Sequence, residues 1–293
     1  MSPAAGAGHP SMRRFEGRTV FVTGAARGQG RSHAVRLARE GADVLAVDVC
    51  APLGTVAYPL ATPADLAETA RLVEAEGRRV VPAQADVRDA DALGAAVADG
   101  VARLGGLDVV LANAGIGLMD PAADPRQAFR DQLDVNLVGV WNTVHAAVPV
   151  LVEQGRGGAV VLTSSAFGLT GRGGDGSGGG DGYVASKHGV VGLMRTFATW
   201  LAPHGIRVNC VNPSGVATPM VLNPAVEALF GGPLTEDGDG GGGGKDPDDV
   251  ANLLDVTLVD PGDVSAAVAF LASDEARYVT GVALPVDAGM LVR

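Results

Sequence analysis

A chain of 293 residues with 47% hydrophobic content can enclose one large α/β core and is too short for two ordinary domains. Its net charge of −11 argues against nucleic acid or an anionic membrane surface as a partner, because both demand a basic face. Two distant cysteines, Cys50 and Cys210, and five histidines without an H-x-x-x-H pair argue against a protein-bound metal and fit a reducing compartment.

Residues 1–14 are small and polar and read as a disordered tail, with no apolar stretch suited to a signal peptide. No run of about 18 apolar residues follows, so the expectation is a soluble, cytoplasmic protein whose single domain spans 15–293. Arg18–Thr23 is a short β-branched run, hence a buried strand. It passes at once into Gly24-Ala-Ala-Arg27-Gly28-Gln29-Gly30 and then into a helix over 32–42. Strand, glycine turn and helix place free helix N-terminal amides against a pyrophosphate. The spacing, T-G-x-x-x-G-x-G, is a variant of the dinucleotide fingerprint.

The second strand, Ala42–Asp48, ends in a carboxylate that can bind ribose hydroxyls and repel a 2′-phosphate. Arg27 pulls the other way, as a partner for that phosphate. A carboxylate about 4 Å from a phosphate charge costs roughly 4 kcal/mol at an effective dielectric near 20, which an exposed arginine offsets only in part. The balance favours NAD over NADP. Residues 49–79 then form an insert longer than an ordinary βα connection, either a cover over the cofactor or a plain surface loop. Within it Thr62 caps a helix over Ala64–Glu76 with Pro63 at its first position.

Arg79–Ala85 is the third strand, closing on Asp86 and Val87, and Ala90–Arg103 is a helix. Leu107–Ala112 is the fourth, ending in Asn113-Ala114-Gly115. A long helical pattern over Asp124–Gln154 carries Asn136, which is either functional or a polar residue at a helix irregularity. Gly158–Thr163 is the fifth strand, ending in Ser164-Ser165, and Ile206–Asn212 is the sixth. Between them lie a glycine-rich insert, 171–182, and an amphipathic helix from Val184 to Leu201. Pro261–Ser273 is a last helix and Val282–Val286 a seventh strand. Repeated β-α units predict a single-domain, doubly wound Rossmann fold with a seven-stranded parallel sheet and helices on both faces. Gly24, Asp48, Asp86, Asn113, Ser165 and Asn212 all fall at strand carboxyl ends, where such sheets bind ligands.

Tyr183 and Lys187 lie four apart, one turn from each other on one helix face. A phenol with pKa near ~10 is a poor base at neutral pH, and a cation nearby favours its ionised form. Such a pair moves a proton to or from an alcohol or carbonyl oxygen.

TGAARGQG, NAG, Ser165, YVASK and NPSGVATPM together resemble the short-chain dehydrogenase/reductase family from Gly17 through Ala288. Finer features, including GAARGQGRSHAVRLAREGADVLAVDVCAP, the insert after it and DEARYVTGVALPVDAG, are similar to its NAD-dependent, mycofactocin-associated subgroup, which includes carveol dehydrogenase-like enzymes. The resemblance implies that Tyr183 is the general acid/base and that Lys187 lowers its pKa and binds the nicotinamide ribose. It implies that Ser165 hydrogen-bonds the reacting oxygen and that Asn136 holds a water in a proton relay. Gly24, Gly28 and Gly30 would shape the pyrophosphate loop, Asp48 bind ribose, Asp86 and Val87 adenine, Asn113 the coenzyme's middle and Thr218 the carboxamide. Arg27, Gln29, Val49, Ala114, Gly115, Pro213 and Val216 complete the implied coenzyme contacts.

The expected activity is interconversion of a secondary alcohol and a ketone of a small, apolar, cyclic or terpenoid-like molecule. The subgroup implies tightly held NAD recycled by an external redox carrier, and the family implies a homotetramer built partly by the end elements. A non-catalytic NAD sensor, or an epimerase or dehydratase on the same scaffold, are the rival readings. Two departures from the family pattern stand out: the glycine-rich insert, which can loosen the Ser165–Tyr183 geometry, and Ser214, where glycine is usual. Residues 219–256 would cover the substrate, with Met220, Val221, Leu222, Leu229, Phe230, Leu253 and Leu254 as candidate lining and an acidic glycine-rich loop as solvated linker.

Overall fold

The computed structural model describes residues 13–117, 119–224, 226 and 252–292. Seven strands form one sheet in the order β3-β2-β1-β4-β5-β6-β7. They are β1 Thr19–Thr23, β2 Asp43–Asp48, β3 Val80–Gln84, β4 Val109–Ala112, β5 Gly158–Thr163, β6 Ile206–Pro213 and β7 Ala283–Val286. Every pairing is parallel. The helices are α1 Gly28–Arg39, α2 Pro63–Ala75, α3 Ala90–Leu104, α4 Pro125–Leu133, α5 Gly139–Gln154, α6 Gly178–Leu201 and α7 Pro261–Ala272.

Strand pleating sends alternate residues to opposite faces, so each apolar strand builds two cores. Phe21, Leu45, Val110, Val160 and Leu162 pack with Leu93, Val144, Leu151 and Met194 on the side of α3, α5 and α6. Val20, Val22, Val44, Leu111 and Val161 pack with Leu37, Val73, Val264 and Leu271 on the side of α1, α2 and α7. The strand order reverses between β1 and β4, which opens a crevice at their carboxyl ends.

Thr62 caps α2 as expected, in a reciprocal capping box with Asp65 and with Pro63 at the first turn. The long helical pattern over 124–154 is broken by a π-turn, Asp134–Val138, with Asn136 at its centre. The run Pro125–Gln154 is long and apolar enough to span a bilayer by length and composition, yet 56% of its most apolar window is buried within the protein. It is a core element, packed on α3, β4 and β5.

Residues 1–12 of the expected tail lie outside the described residues. Arg14, expected in that tail, instead forks onto Glu40 at 2.6 and 2.8 Å and reaches Glu275 at 2.7 Å. The glycine-rich insert also departs from expectation. Its last five residues, Gly178 to Gly182, are the first turn of α6, capped by the Ser177 hydroxyl, which accepts from Gly180 N–H at 3.0 Å.

Glycine is a poor helix former, so local propensity hides this turn. Packing explains it. A methyl on Gly178 would overlap the Pro125 carbonyl oxygen, one on Gly179 would lie 2.8 Å from Met119 Cγ, and one on Gly182 would lie 3.1 Å from Phe129 Cα. The missing side chains let α6 press against α4, so Tyr183 starts from a supported turn rather than from a loose linker.

Candidate active site

A cleft opens over the carboxyl ends of the strands. Of the sequence-predicted residues, Gly24, Arg27, Gly28, Gln29, Gly30, Asp48, Val49, Asp86 and Val87 line one part of it. Asn113, Ala114, Gly115, Tyr183, Lys187 and Thr218 line the rest. Asn136, Ser165, Pro213 and Val216 are not among the residues that line it.

The glycine turn owes its shape to missing side chains. Gly24 has φ +68° and Gly28 φ +54°, both left-handed values that favour glycine. A methyl on Gly30 would overlap the Gly24 carbonyl oxygen and lie 2.7 Å from Asn113 Nδ2. The turn therefore leaves an open cradle at the N-terminus of α1, where Gln29 Oε1 is buried without a partner. Thr218 borders it, its Cβ and Cγ2 3.4 Å from where a Gly28 methyl would stand.

Asp48 is buried and already accepts Ala26 N–H at 3.0 Å and Cys50 N–H at 3.1 Å, one on each oxygen. Those bonds aim the carboxylate, and each oxygen keeps a lone pair for a ligand. Arg27 reaches across to the Pro59 carbonyl at 2.6 Å, so its guanidinium ties the turn to the insert. Asp86 pairs with Arg88 at 2.6 Å, and that arginine keeps the carboxylate ionised, outweighing the burial that acts against it. Sequence reasoning passed over Arg88, which also lines the cleft.

Asn113 turns out to be a brace. Its amide donates to Thr23 O at 3.1 Å, its backbone N–H to Thr23 Oγ1 at 3.2 Å, and its Oδ1 accepts from Thr163 Oγ1 at 3.3 Å. It stitches together the ends of β1, β4 and β5 while lining the cleft. Asn212 does the same farther along, donating to the Ser165 carbonyl at 2.9 Å.

Tyr183 and Lys187 share a face of α6. The Lys187 ammonium is buried, donates to Thr163 O at 3.0 Å and lies 5.6 Å from the centre of the Tyr183 ring. Burial pushes its pKa down to about 8. Burial also pushes the Tyr183 phenol upward, against a smaller lowering by its hydrogen bond with Ser165. Desolvation, rather than the lysine charge, thus sets the direction of the Tyr183 shift, opposite to the expected lowering.

Asn136 is fully buried in the π-turn. Its Oδ1 accepts Ile116 N–H at 2.8 Å, and its amide donates to Ile116 O at 3.0 Å and Gln132 Oε1 at 2.7 Å. Gln132, which carried no signal in the sequence, donates in turn to Gly117 O at 2.6 Å. A methyl on Gly115 would lie 3.2 Å from Asn136 Oδ1 and 3.6 Å from Lys187 Nζ. The bare glycine thus leaves a small gap with a polar atom on either side, the setting a bridging water needs.

Insert residues Ala51, Pro52, Leu53, Tyr58, Leu60 and Ala61 form one wall of the cleft. Tyr58 is the one with chemistry, and no motif in the sequence marked it. Of the expected substrate lining, Met220 faces the cleft, whereas Val221, Leu222, Leu253 and Leu254 are not among the described residues that line it, the last two being 60% and 66% exposed. Leu229, Phe230 and the acidic glycine-rich loop lie outside the described residues.

Residues 18–225 match the family model described as short chain dehydrogenase, and residues 240–291 match one described as Enoyl-(Acyl carrier protein) reductase. The chain is 45% identical over 288 residues to (-)-trans-carveol dehydrogenase of Rhodococcus erythropolis, covering 96% of this chain and 100% of that one. Among solved structures, carveol dehydrogenase from Mycobacterium avium in complex with NAD is 50% identical with a TM-score of 0.85, covering 96% of this chain and 99% of its own. A short chain dehydrogenase from Mycobacterium paratuberculosis bound to NAD is 42% identical with a TM-score of 0.79, covering 96% and 100%.

Proposed function

The chain belongs to the short-chain dehydrogenase family, and from that premise we propose that it is an NAD-dependent oxidoreductase interconverting a secondary alcohol and a ketone of a small apolar, cyclic or terpenoid-like molecule. One observation carries the reading: Tyr183, Lys187 and the open glycine cradle line the same cleft. The cradle at Gly24, Gly28 and Gly30 and the aimed Asp48 carboxylate suit a dinucleotide. In this reading the glycine turn holds the pyrophosphate and Asp48 a ribose. Asp86 and Val87 flank the adenine, Lys187 serves the nicotinamide ribose, and Thr218 the carboxamide. Bound NAD supplies the carbon that accepts or gives up a hydride.

The chain's own part is proton chemistry. Tyr183 takes the proton from a substrate hydroxyl or returns it to a carbonyl oxygen, and Ser165 hydrogen-bonds the same oxygen. Because burial favours the neutral phenol, Tyr183 stands ready as an acid for carbonyl reduction at neutral pH. For the reverse direction the proton leaves by way of Lys187 and the gap at Gly115 toward Asn136.

The insert wall beside the cradle, fastened by Arg27 to Pro59, supports the finer reading that NAD stays bound between turnovers and is recycled by an external carrier such as mycofactocin. Denaturing purified protein and identifying the released nucleotide by chromatography and mass tests this. Stoichiometric NAD or NADH is expected, and an empty protein removes the carrier reading while leaving the dehydrogenase reading in place.

The reading extends to a cytoplasmic homotetramer, in keeping with the buried free thiols of Cys50 and Cys210. Trp141, His145 and Trp200 stack at centroid distances of 3.7 and 5.2 Å with both indoles more than 40% exposed. Tyr278 and Val292, near the C-terminus, are 89% and 78% exposed. Apolar surface of this kind suits burial between copies. Sedimentation of a monomer at micromolar concentration would remove the assembly.

A further inference from the structure

We propose that Tyr58 is a second hydrogen-bond donor to the substrate, and that the preferred substrate carries an oxygen acceptor in addition to the one on its reacting carbon. This rests on the dehydrogenase reading.

Tyr58 comes from the insert, far in sequence from Tyr183, yet the two side chains line one cleft. It is 5% exposed, so its hydroxyl cannot rely on bulk water. Its oxygen accepts the Gly117 N–H at 3.1 Å. That bond occupies a lone pair and fixes the hydroxyl, while its hydrogen has no acceptor among the described residues. A buried hydroxyl hydrogen with no protein acceptor favours a ligand oxygen that can accept it.

The position of the ring is built from both sides. Val56 bridges Met119, Asp120 N–H donates to Thr55 O at 2.8 Å, and the Thr55 hydroxyl donates to Asp131 Oδ2 at 2.6 Å. On the other side Arg27 holds Pro59 at 2.6 Å. Gly117 is part of the same construction: a methyl there would lie 3.0 Å from Met220 Sδ and 3.9 Å from the Tyr58 hydroxyl oxygen. The hydroxyl therefore sits with Met220 near the catalytic end of the cleft. Burial pushes the phenol up to about 12, so it remains a donor throughout the working range of pH.

Tyr183 and Ser165 serve one substrate oxygen from α6 and the end of β5. Tyr58, on a different wall, is free to serve another. A rigid, mostly apolar molecule with two oxygens satisfies both walls at once; one with a single oxygen leaves the Tyr58 donor unmade.

The test compares cyclohexanone with cyclohexane-1,4-dione, ketones of one ring size that differ in the second oxygen. NADH-loaded wild type is expected to favour the dione in kcat/KM by at least tenfold, mostly through KM, and Tyr58→Phe to bring the ratio below threefold. Titration of NADH onto both proteins freed of any bound nucleotide, followed by fluorescence, is expected to give affinities within threefold of each other. A wild type that does not prefer the dione overturns the proposal. So does a Tyr58→Phe variant with an unchanged ratio. A more than tenfold loss of NADH affinity overturns it as well, because the phenol then belongs to the cofactor. Binding of the two ketones to NADH-loaded protein, read by thermal shift, judges Tyr58 independently of turnover. Selective, Tyr58-dependent binding of the dione without turnover of either ketone counts against the dehydrogenase reading and for Tyr58. Equal binding by wild type and variant, or binding of neither ketone, counts against Tyr58.

Discussion

Replacing Tyr183 by phenylalanine is expected to lower kcat by 10²–10⁴-fold, the range a positioned acid/base contributes, while leaving the fold intact. The substitution keeps the ring and removes only the hydroxyl. Lys187 stays anchored on Thr163 O at 3.0 Å, and Ser165 keeps its backbone contact with Phe167 N–H at 3.2 Å. The loss should therefore appear in kcat, with NADH affinity within threefold and thermal unfolding shifted by no more than a few degrees. In the wild type, the upward shift of the phenol predicts a directional pH effect. Ketone reduction should hold its rate through the neutral range, where the phenol carries its proton, and alcohol oxidation should quicken as pH rises toward the phenol's pKa. A Tyr183→Phe enzyme that keeps more than a few per cent of wild-type turnover would place the proton transfer elsewhere.

The second large effect lies outside the cleft, at His33. The imidazole is fully buried, with Nδ1 2.7 Å from Ser265 Oγ. That hydroxyl donates to the Pro261 carbonyl at 2.8 Å, so Nδ1 carries the hydrogen and donates to Ser265. Nε2 has no partner, and protonating it would create a buried, unpaired cation. Burial accordingly pushes the pKa down to about 3 from the imidazole's ordinary value of 6.5.

The unfolded chain therefore binds this proton first as pH falls below about 6.5, and stability is lost from there toward pH 3. The full loss is on the order of 4–5 kcal/mol, of which about 2 kcal/mol falls between pH 7 and pH 5. His33→Asn supplies a side-chain amide donor for Ser265 and does not titrate. Its stability, from denaturant unfolding, is expected to fall by about 2 kcal/mol less than that of the wild type over that interval. Parallel pH dependences for the two proteins would refute the assignment.

Both predictions concern groups whose chemistry was visible to very different degrees in the sequence. Tyr183 announces itself, because a four-residue spacing puts it on the face of Lys187 wherever a helix forms. His33 is one polar residue in a helical pattern, and only the packing of α1 against α7 makes it a buried base. The glycine-rich stretch before Tyr183 reads as a loose linker, yet Gly178, Gly179 and Gly182 are where α6 meets Pro125, Met119 and Phe129. Asn136 left two readings open, and the structure shows the irregularity: the residue sits at the centre of a π-turn with its Oδ1 on Ile116 N–H.

By itself the sequence determined the strands and helices, the parallel order implied by repeated β-α units, the glycine turn, and the strand-end positions of Asp48, Asp86, Asn113 and Ser165. These rest on local rules: the period of apolar residues, the cap at Thr62, and the backbone freedom of glycine. Tertiary structure alone decided which of those residues face the cleft and which brace it, the burial that raises the Tyr183 phenol, and the arrival of Tyr58 in the cleft that Tyr183 lines. Those outcomes depend on contacts between residues tens to more than a hundred positions apart, and on the exclusion of water that follows, neither of which leaves a periodic trace along the chain.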